Sequence, residues 1–185
     1  MTEVTIGRAP DTDLAAILRD FPRYWGDRER LRLLHHPMFV LEFGDTALAA
    51  RRADGQLLGY LLGFVTPSRD GYVHLVAVRD DARGLGLARR LYGTFTDASL
   101  TRGALALKAI TSPENAESQA FHRALGFTLT RADDYGGTGR ARVVMRKDLD
   151  AAMRTAGKTI ALRGMVASDG GSSDTERLAN RQVSP

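Results

Sequence analysis

The stretch from residue 76 to 91 reads Val-Ala-Val-Arg-Asp-Asp-Ala-Arg-Gly-Leu-Gly-Leu-Ala-Arg-Arg-Leu, and it constrains the fold more than any other. Tyr72 to Val78 is β-branched and aromatic without strict polar alternation, which suits a central strand covered on both faces. From Leu85 the period changes. Leu87, Leu91 and Phe95 recur every fourth residue, with Ala88 and Tyr92 beside them, as on one face of a helix. Gly84 and Gly86 stand at the junction. Without a Cβ they let backbone N–H groups approach a ligand, and those groups add to the positive end of the helix dipole. The combination is an anion site, with a phosphate or pyrophosphate as ligand and Arg83, Arg89 and Arg90 as nearby charge.

Two common phosphate loops do not fit. The Gly-Lys-Ser/Thr of a P-loop is absent, and the dinucleotide fingerprint fails where Arg89 takes the place of a third small residue. What fits is Arg-x-x-Gly-x-Gly/Ala, filled by Arg83, Gly86 and Ala88 directly after a Val-x-Val strand.

The rest of the chain reads as a mixed α/β (α+β) domain over residues 1–150. A short strand around Thr5 leads to a helix capped by Asp11 or Thr12, with Leu14, Ile17 and Leu18 as its apolar stripe, ending near Phe21-Pro22. Asp27 is expected to cap a second helix through Leu31 and Leu34, stopped by His36-Pro37. Met38 to Phe43 is either a strand or a buried connector. Thr46 to Ala53 and Gln56 to Thr66 read as a hairpin joined by Asp54-Gly55, and Gly59 and Gly63 mark a bulge or a close backbone approach. A long helix follows the glycine loop, and the strand from Leu105 to Ile110 returns parallel to the central one. Asn115 can cap a helix that Gly126 ends, and strands at Phe127 and at Arg142 to Leu149 close the fold. Residues 151–185 turn polar and glycine-rich, the composition of a largely disordered tail.

With 185 residues the chain has room for one sizeable core. It has no cysteine, so no disulfide, no thiolate metal site and no cysteine nucleophile. No leader or membrane-length apolar run is visible, so a cytoplasmic protein without a membrane partner is expected. The net charge of +4 comes from arginines spread among acids, which argues against a nucleic-acid partner. His35, His36, His74 and His122 show no ligand spacing beside carboxylates, so no metal is expected.

A second motif follows one strand later: Asn115-x-x-Ser118-x-x-Phe121-His122-x-x-Leu125-Gly126-Phe127. The two motifs, in this order and in these elements, resemble the coenzyme-binding motifs of the GNAT superfamily of acetyl-CoA-dependent N-acetyltransferases. The resemblance spans about Tyr72 to Phe127, and the order of elements agrees over residues 4–149. It implies a mostly antiparallel sheet of six to seven strands, splayed between the central strand and the next, with about four helices. It implies acetyl-CoA as co-substrate, its pantetheine arm in the splay on the backbone of Val76, Ala77 and Val78. Arg83, Gly84, Leu85, Gly86, Leu87 and Ala88 would hold the pyrophosphate, and Asn115, Ser118 and Phe121 would contact the arm. It also implies that the first two helices and their link border the acceptor. Tyr24, Trp25, Tyr72 and Tyr135 would then line an amine site, the first two alternatively being packing under a loop.

The reaction joins a neutral amine to a thioester and releases a thiolate. The family usually protonates that thiolate from a tyrosine four residues before the glycine of Gly-Phe. Here the position holds His122, which can serve as the acid or merely hydrogen-bond within the helix packing. No glutamate occurs on the central strand. His74, on the same face as Tyr72, is the candidate base, or else a half-buried histidine satisfied by a neighbour. The acceptor expected is a small-molecule primary amine, attacked directly in a ternary complex by a monomer or homodimer. The alternatives are a protein α-amine or lysine, or a silent acetyl-CoA-binding sensor.

Overall fold

The computed structural model describes residues 3–150 and Met153. The tail expected over residues 151–185 otherwise lies outside the described residues. Among the described residues, seven strands form one sheet in the order β1-β2-β3-β4-β5-β7-β6. They are β1 (Val4–Arg8), β2 (Leu48–Arg52), β3 (Leu57–Val65), β4 (Asp70–Val78), β5 (Ala106–Thr111), β6 (Thr128–Ala132) and β7 (Arg142–Asp148). Only β4 and β5 run parallel, and the other neighbours are antiparallel. Among the described residues, the α-helices with assigned bounds are α1 (Thr12–Arg19), α2 (Phe21–Trp25), α3 (Met38–Leu41), α4 (Leu87–Thr101) and α5 (Ala116–Ala124).

Local chemistry explains most of these boundaries. The Asp11 carboxylate accepts from Thr12 N–H at 2.8 Å and starts α1. Asn115 Oδ1 accepts from Ser118 N–H at 3.1 Å and starts α5. Gly126, at φ +84°, ends α5 in the left-handed region, and Phe127 N–H returns to His122 O at 3.0 Å. Two expectations need correction. Pro22 sits at the first turn of a further short helix, where its missing N–H costs nothing, so α2 occupies the supposed connection. The helix expected after Asp27 is a 3₁₀ segment, Glu29–Leu34, with no side-chain cap and no buried residue. Without a buried face, a few residues close only the tighter turns. Met38 to Leu41 is helical, which rules out the strand reading and leaves a buried connector through Phe39 and Val40.

The sheet carries apolar clusters on both faces. On one, α4 lays Leu91, Tyr92 and Phe95 on Leu61, Val73, Ala109 and Met145. On the other, α1 to α3 bring Ile17, Tyr24, Phe39 and Val40 onto Tyr60, Leu62, Leu75 and Ala77. Strand β4 contributes to both, as expected of a central strand.

The β3–β4 ladder is irregular at one point. Leu62 pairs with Leu75 and Gly63 with Val73, so His74 is an inserted residue with no partner in β3. That is a β-bulge. Gly63 beside it is required sterically. A Cβ there would lie 2.6 Å from both Phe95 Cε2 and Tyr72 O. We expect Gly63→Ala to cost about 1–3 kcal/mol by overpacking, read as a lower Tm. Gly7→Ala, where a Cβ meets nothing within 4 Å, should leave Tm nearly unchanged.

Candidate active site

Strand β4 ends in a loop that leads straight into α4. Gly84 and Gly86 adopt φ of +77° and +71°, and neither has an atom within 4 Å of where a Cβ would stand. Gly86 is the N-cap of α4 and offers no side chain to its first turn. Arg90 N–H is the first to find a helical acceptor, at Gly86 O. From Arg83 to Arg89, no backbone N–H has a protein acceptor among the described residues. An unbroken run of free donors at the positive end of a 15-residue helix is a cradle for a polyanion. Of the expected arginines, Arg89 is exposed at the loop and Arg83 leans on Tyr24 O at 3.5 Å. Arg90 is turned away instead: its guanidinium donates to Val4 O at 2.6 Å, at the sheet edge.

Beside this loop the sheet opens. Strand β4 pairs with β5 only from Asp70↔Ala106 to Val73↔Ala109, although both strands continue. Arg79 N–H donates to Leu58 O at 2.8 Å. By antiparallel alternation, Ala77 and Leu75 also face β3, which leaves the N–H groups of Val76 and Val78 turned into the gap. A slot with two free strand donors suits the amides of an extended arm.

A charged hub missed by sequence reading holds the loop. Arg79 is 7% exposed and donates to Asp20 at 3.0 Å and to Asp81 at 3.2 Å. Arg23 contacts Asp80 at 2.7 Å and Asp81 at 2.8 Å. The neighbouring carboxylates hold the Arg79 guanidinium charged, and Arg79 in turn pulls the Asp81 carboxyl below its usual range. Residues of the α1–α2 junction are thereby tied to the start of the loop. The only signal in the sequence was the juxtaposition of opposite charges in Arg79-Asp80-Asp81, which also describes a solvated turn.

The opposite face of β4 carries Tyr72 and His74. His74 stacks on Phe39 with ring centroids 4.5 Å apart, and its Nε2 lies 3.0 Å from Leu34 O. A carbonyl only accepts, so Nε2 bears the hydrogen and Nδ1 keeps a free lone pair. Burial pushes the His74 pKa below 6.5, so the ring is neutral near pH 7. Burial raises the Tyr72 hydroxyl pKa, and Tyr135 from the β6–β7 loop adds to the shift. Tyr135 sits 6.0 Å from the ammonium of Lys108, which pairs with Tyr72 across the β4–β5 ladder. Tyr72 and Tyr135 are thus neighbours, and His74 lies on the same face of β4 as Tyr72.

Tyr24 is not. It is 4% exposed, its hydroxyl donates to Leu57 O at 3.0 Å, and burial pushes its pKa up to about 12. It is core, which decides for the packing alternative. Trp25 is partly buried, and its indole N–H donates to Tyr60 Oη at 2.6 Å. Tyr60 must then donate to His35 Nε2 at 2.6 Å, while His35 Nδ1–H donates to Leu31 O at 2.7 Å. This chain latches the segment from α2 to His35 onto β3.

His122 also lies in the core, 3% exposed among Tyr92, Phe121 and Phe127. Its Nδ1 is 2.7 Å from Ser118 O and therefore holds the hydrogen, so Nε2 accepts from Tyr92 Oη at 2.6 Å. Burial lowers its pKa, which keeps the ring neutral. No proton on it points to a cleft. Asn115 spends its Oδ1 on the cap, and the Ser118 hydroxyl is 3.4 Å from His122 Nδ1. Among the described residues, no group of three or more His, Cys, Asp or Glu could hold a metal, and no helix is long and apolar enough to cross a membrane.

Comparison with known proteins agrees with this geometry. The model of the Acetyltransferase (GNAT) family matches residues 12–127. An L-2,4-diaminobutyric acid acetyltransferase of Halomonas elongata is 32% identical over 94 residues, 48% of this chain and 47% of that protein. The chain therefore spans about half the length of that curated relative. Among solved structures, the ribosomal-protein-S18-alanine N-acetyltransferase of Escherichia coli superposes with TM-score 0.61 at 19% identity, over 80% of this chain and 95% of that one. An acetyltransferase structure from Salmonella typhimurium, with its cofactor acetyl-CoA, gives TM-score 0.56 at 24% identity over 80% and 95%. At these identities the likeness of the structures is one of fold. The match of the family model over more than half of the sequence carries the conclusion that this chain belongs to the GNAT acetyltransferase family.

Proposed function

We propose that this protein transfers an acetyl group from acetyl-CoA to a primary amine of a small molecule, by direct attack within a ternary complex. The observation that carries the reading is the run of free N–H donors from Arg83 to Arg89, next to a strand that has parted from its neighbour. A diphosphate fits the first and the pantetheine amides fit the second. The curated relative, whose name gives a diamino acid as its substrate, favours a small acceptor over a protein terminus.

In this reading the amine forms a C–N bond to the thioester carbonyl, and the carbonyl oxygen gathers charge. The Val76 N–H, turned into the splay, donates to that oxygen. His74 Nδ1 takes the amine proton, directly or through a water. The C–S bond then breaks and the thiolate leaves. With no cysteine in the chain, no cysteinyl intermediate intervenes. We read His122 as a packing residue, because both of its ring nitrogens are engaged inside the core.

Each assignment has its measurement. Gly86→Glu puts a side chain and a negative charge into the cradle at a left-handed φ, so calorimetry should register no acetyl-CoA binding by a protein that still melts cooperatively. Undiminished affinity would remove the basis of the proposal. For the base, the relevant His74 pKa is lowered by burial, so the catalytically useful neutral form is lost only as pH falls below 6.5. The wild-type kcat/KM should therefore drop on acidification. His74→Phe, which keeps the stack on Phe39, should lower the rate by about 10²-fold or more and keep only the acidic decline caused by protonation of the acceptor amine, without the steeper fall below pH 6.5. An unchanged rate and profile would discard His74 as base. Tyr92→Phe strips the donor from buried His122 Nε2, which should cost roughly 1–3 kcal/mol with kcat nearly unchanged. A hundredfold fall in kcat at constant Tm would return His122 to the acid role.

A further inference from the structure

Acetyl transfer leaves a thiolate that needs a proton, and few side chains here can give one. Tyr92 O–H donates to His122 Nε2, and His122 Nδ1–H to Ser118 O. Tyr24 O–H donates to Leu57 O, Tyr60 O–H to His35 Nε2, and His35 Nδ1–H to Leu31 O. Lys147 Nζ donates to Leu125 O at 2.9 Å. His36 is exposed on the turn before α3, and its Nδ1 accepts from Met38 N–H at 3.2 Å. Arginines keep their protons. Four groups remain on the face that carries His74: His74 itself, Tyr72, Tyr135 and Lys108.

The splay sorts these four. Its vertex is the last β4–β5 pair, Val73↔Ala109. His74 is the first β4 residue past that pair, and Val76, with its N–H turned into the gap, follows roughly 7 Å along the strand. Tyr72 and Lys108 are paired with one another on the closed side of the vertex, and the Tyr135 ring lies 6.0 Å from Lys108 Nζ. An arm that runs from the glycine loop past Val78 and Val76 therefore brings its reacting end to His74 before it meets the closed ladder. The ring's own geometry agrees. Nε2 reaches outward to Leu34 O, so Nδ1, which is bonded to Cγ, is the nitrogen nearer the strand.

We propose that His74 carries the proton through the whole reaction: Nδ1 takes it from the attacking amine and hands it to the departing sulfur. This rests on the acetyltransferase reading and adds to it the acid for the leaving group. The amine lone pair forms the C–N bond, and the carbonyl π pair moves onto oxygen. Nδ1 removes one N–H proton. Nitrogen and sulfur are then bonded to the same carbon, so a group in hydrogen-bond reach of one reaches the other directly or through one water. The oxygen pair re-forms the carbonyl, the C–S bond breaks with its electrons on sulfur, and the Nδ1 proton moves to that sulfur. An amide and a thiol leave, and the imidazole is neutral again. The proton affinities run in this direction. Burial lowers the His74 pKa below 6.5, opposed only by the Leu34 carbonyl. An alkyl thiol titrates at about 8.5, so the step from imidazolium to thiolate is downhill. From Tyr72 it would be uphill, because burial raises a hydroxyl whose ordinary pKa is already about 10.

The test follows thiol release from acetyl-CoA with 2,4-diaminobutyrate as acceptor. His74→Ala should lose about 10²-fold or more in kcat, and added imidazole should restore about tenfold of it. Across substituted imidazoles of differing basicity the restored rate should stay nearly flat, because the proton gained is passed on. A group that only accepts the proton gives a rate that climbs with basicity. His74→Phe, whose ring fills the same space, should not respond to imidazole. Tyr72→Phe and Tyr135→Phe should act on KM for the acceptor, Lys108→Met on neither constant, and all three should keep kcat within about threefold of wild type. A hundredfold loss of kcat in any of these three, at unchanged Tm and acetyl-CoA affinity, names a separate acid and overturns the proposal. So does a steep rise with basicity, a cooperatively melting His74→Ala that imidazole does not restore, or an equal response from His74→Phe. Wild-type protein that binds acetyl-CoA and releases no thiol overturns the reading beneath it instead.

Discussion

The candidate site is organised by two parallel strands that stop pairing. Strands β4 and β5 hold together at Val73 and Ala109 and then part, although neither has ended. Unmade backbone hydrogen bonds inside a sheet are costly, because desolvated donors and acceptors lose their partners. The sheet tolerates the gap because each strand is secured on its other side, β4 by β3 and β5 by β7. The donors left over at Val76 and Val78 lie in line with those of the glycine loop. A ligand with an extended amide arm and a diphosphate end can satisfy both sets at once.

The second requirement is that the loop stay where the open strand points. Electrostatics provides this. Arg79 is nearly enclosed and reaches Asp20 on one side and Asp81 on the other, while Arg23 bridges Asp80 and Asp81. A buried guanidinium is stable only when its donors are met, so the three carboxylates and two arginines act as one unit. The unit joins the α1–α2 junction to the glycine loop. The aromatic latch through Trp25, Tyr60 and His35 fixes the far end of the same segment to β3.

Much of this was legible in the sequence where local chemistry decides. The change from a strand to a helical period at the glycines, the Asp11 and Asn115 caps, the Asp54-Gly55 hairpin and the Gly126 stop are short-range signals, and the structure contains all of them. The stretch from Phe21 to Leu34 was misread because its helices are too short to show a period. What decides them is contact with distant residues such as Tyr60 and His74. The same holds at the site. The positions of Tyr72 and His74 on one face could be counted, but the burial of Tyr24 and His122 could not. Histidine and tyrosine look alike in a sequence whether they meet a substrate or one another, as Tyr92 and His122 do.

The bulge at His74 separates architecture from chemistry. A residue inside a regular ladder is chosen partly by its partner, its neighbours on the same face and the register they maintain. His74 is the one β4 residue between Val73 and Leu75 that no residue of β3 opposes, so the ladder closes on either side of it whatever side chain it bears. Its surroundings ask for a flat ring over Phe39 and a donor for Leu34 O, and for little else. The scaffold can therefore exchange the group at this position without renegotiating strand pairing. A lineage built on such a sheet is free to vary the side chain at this one position while the glycine loop a few residues downstream keeps its geometry.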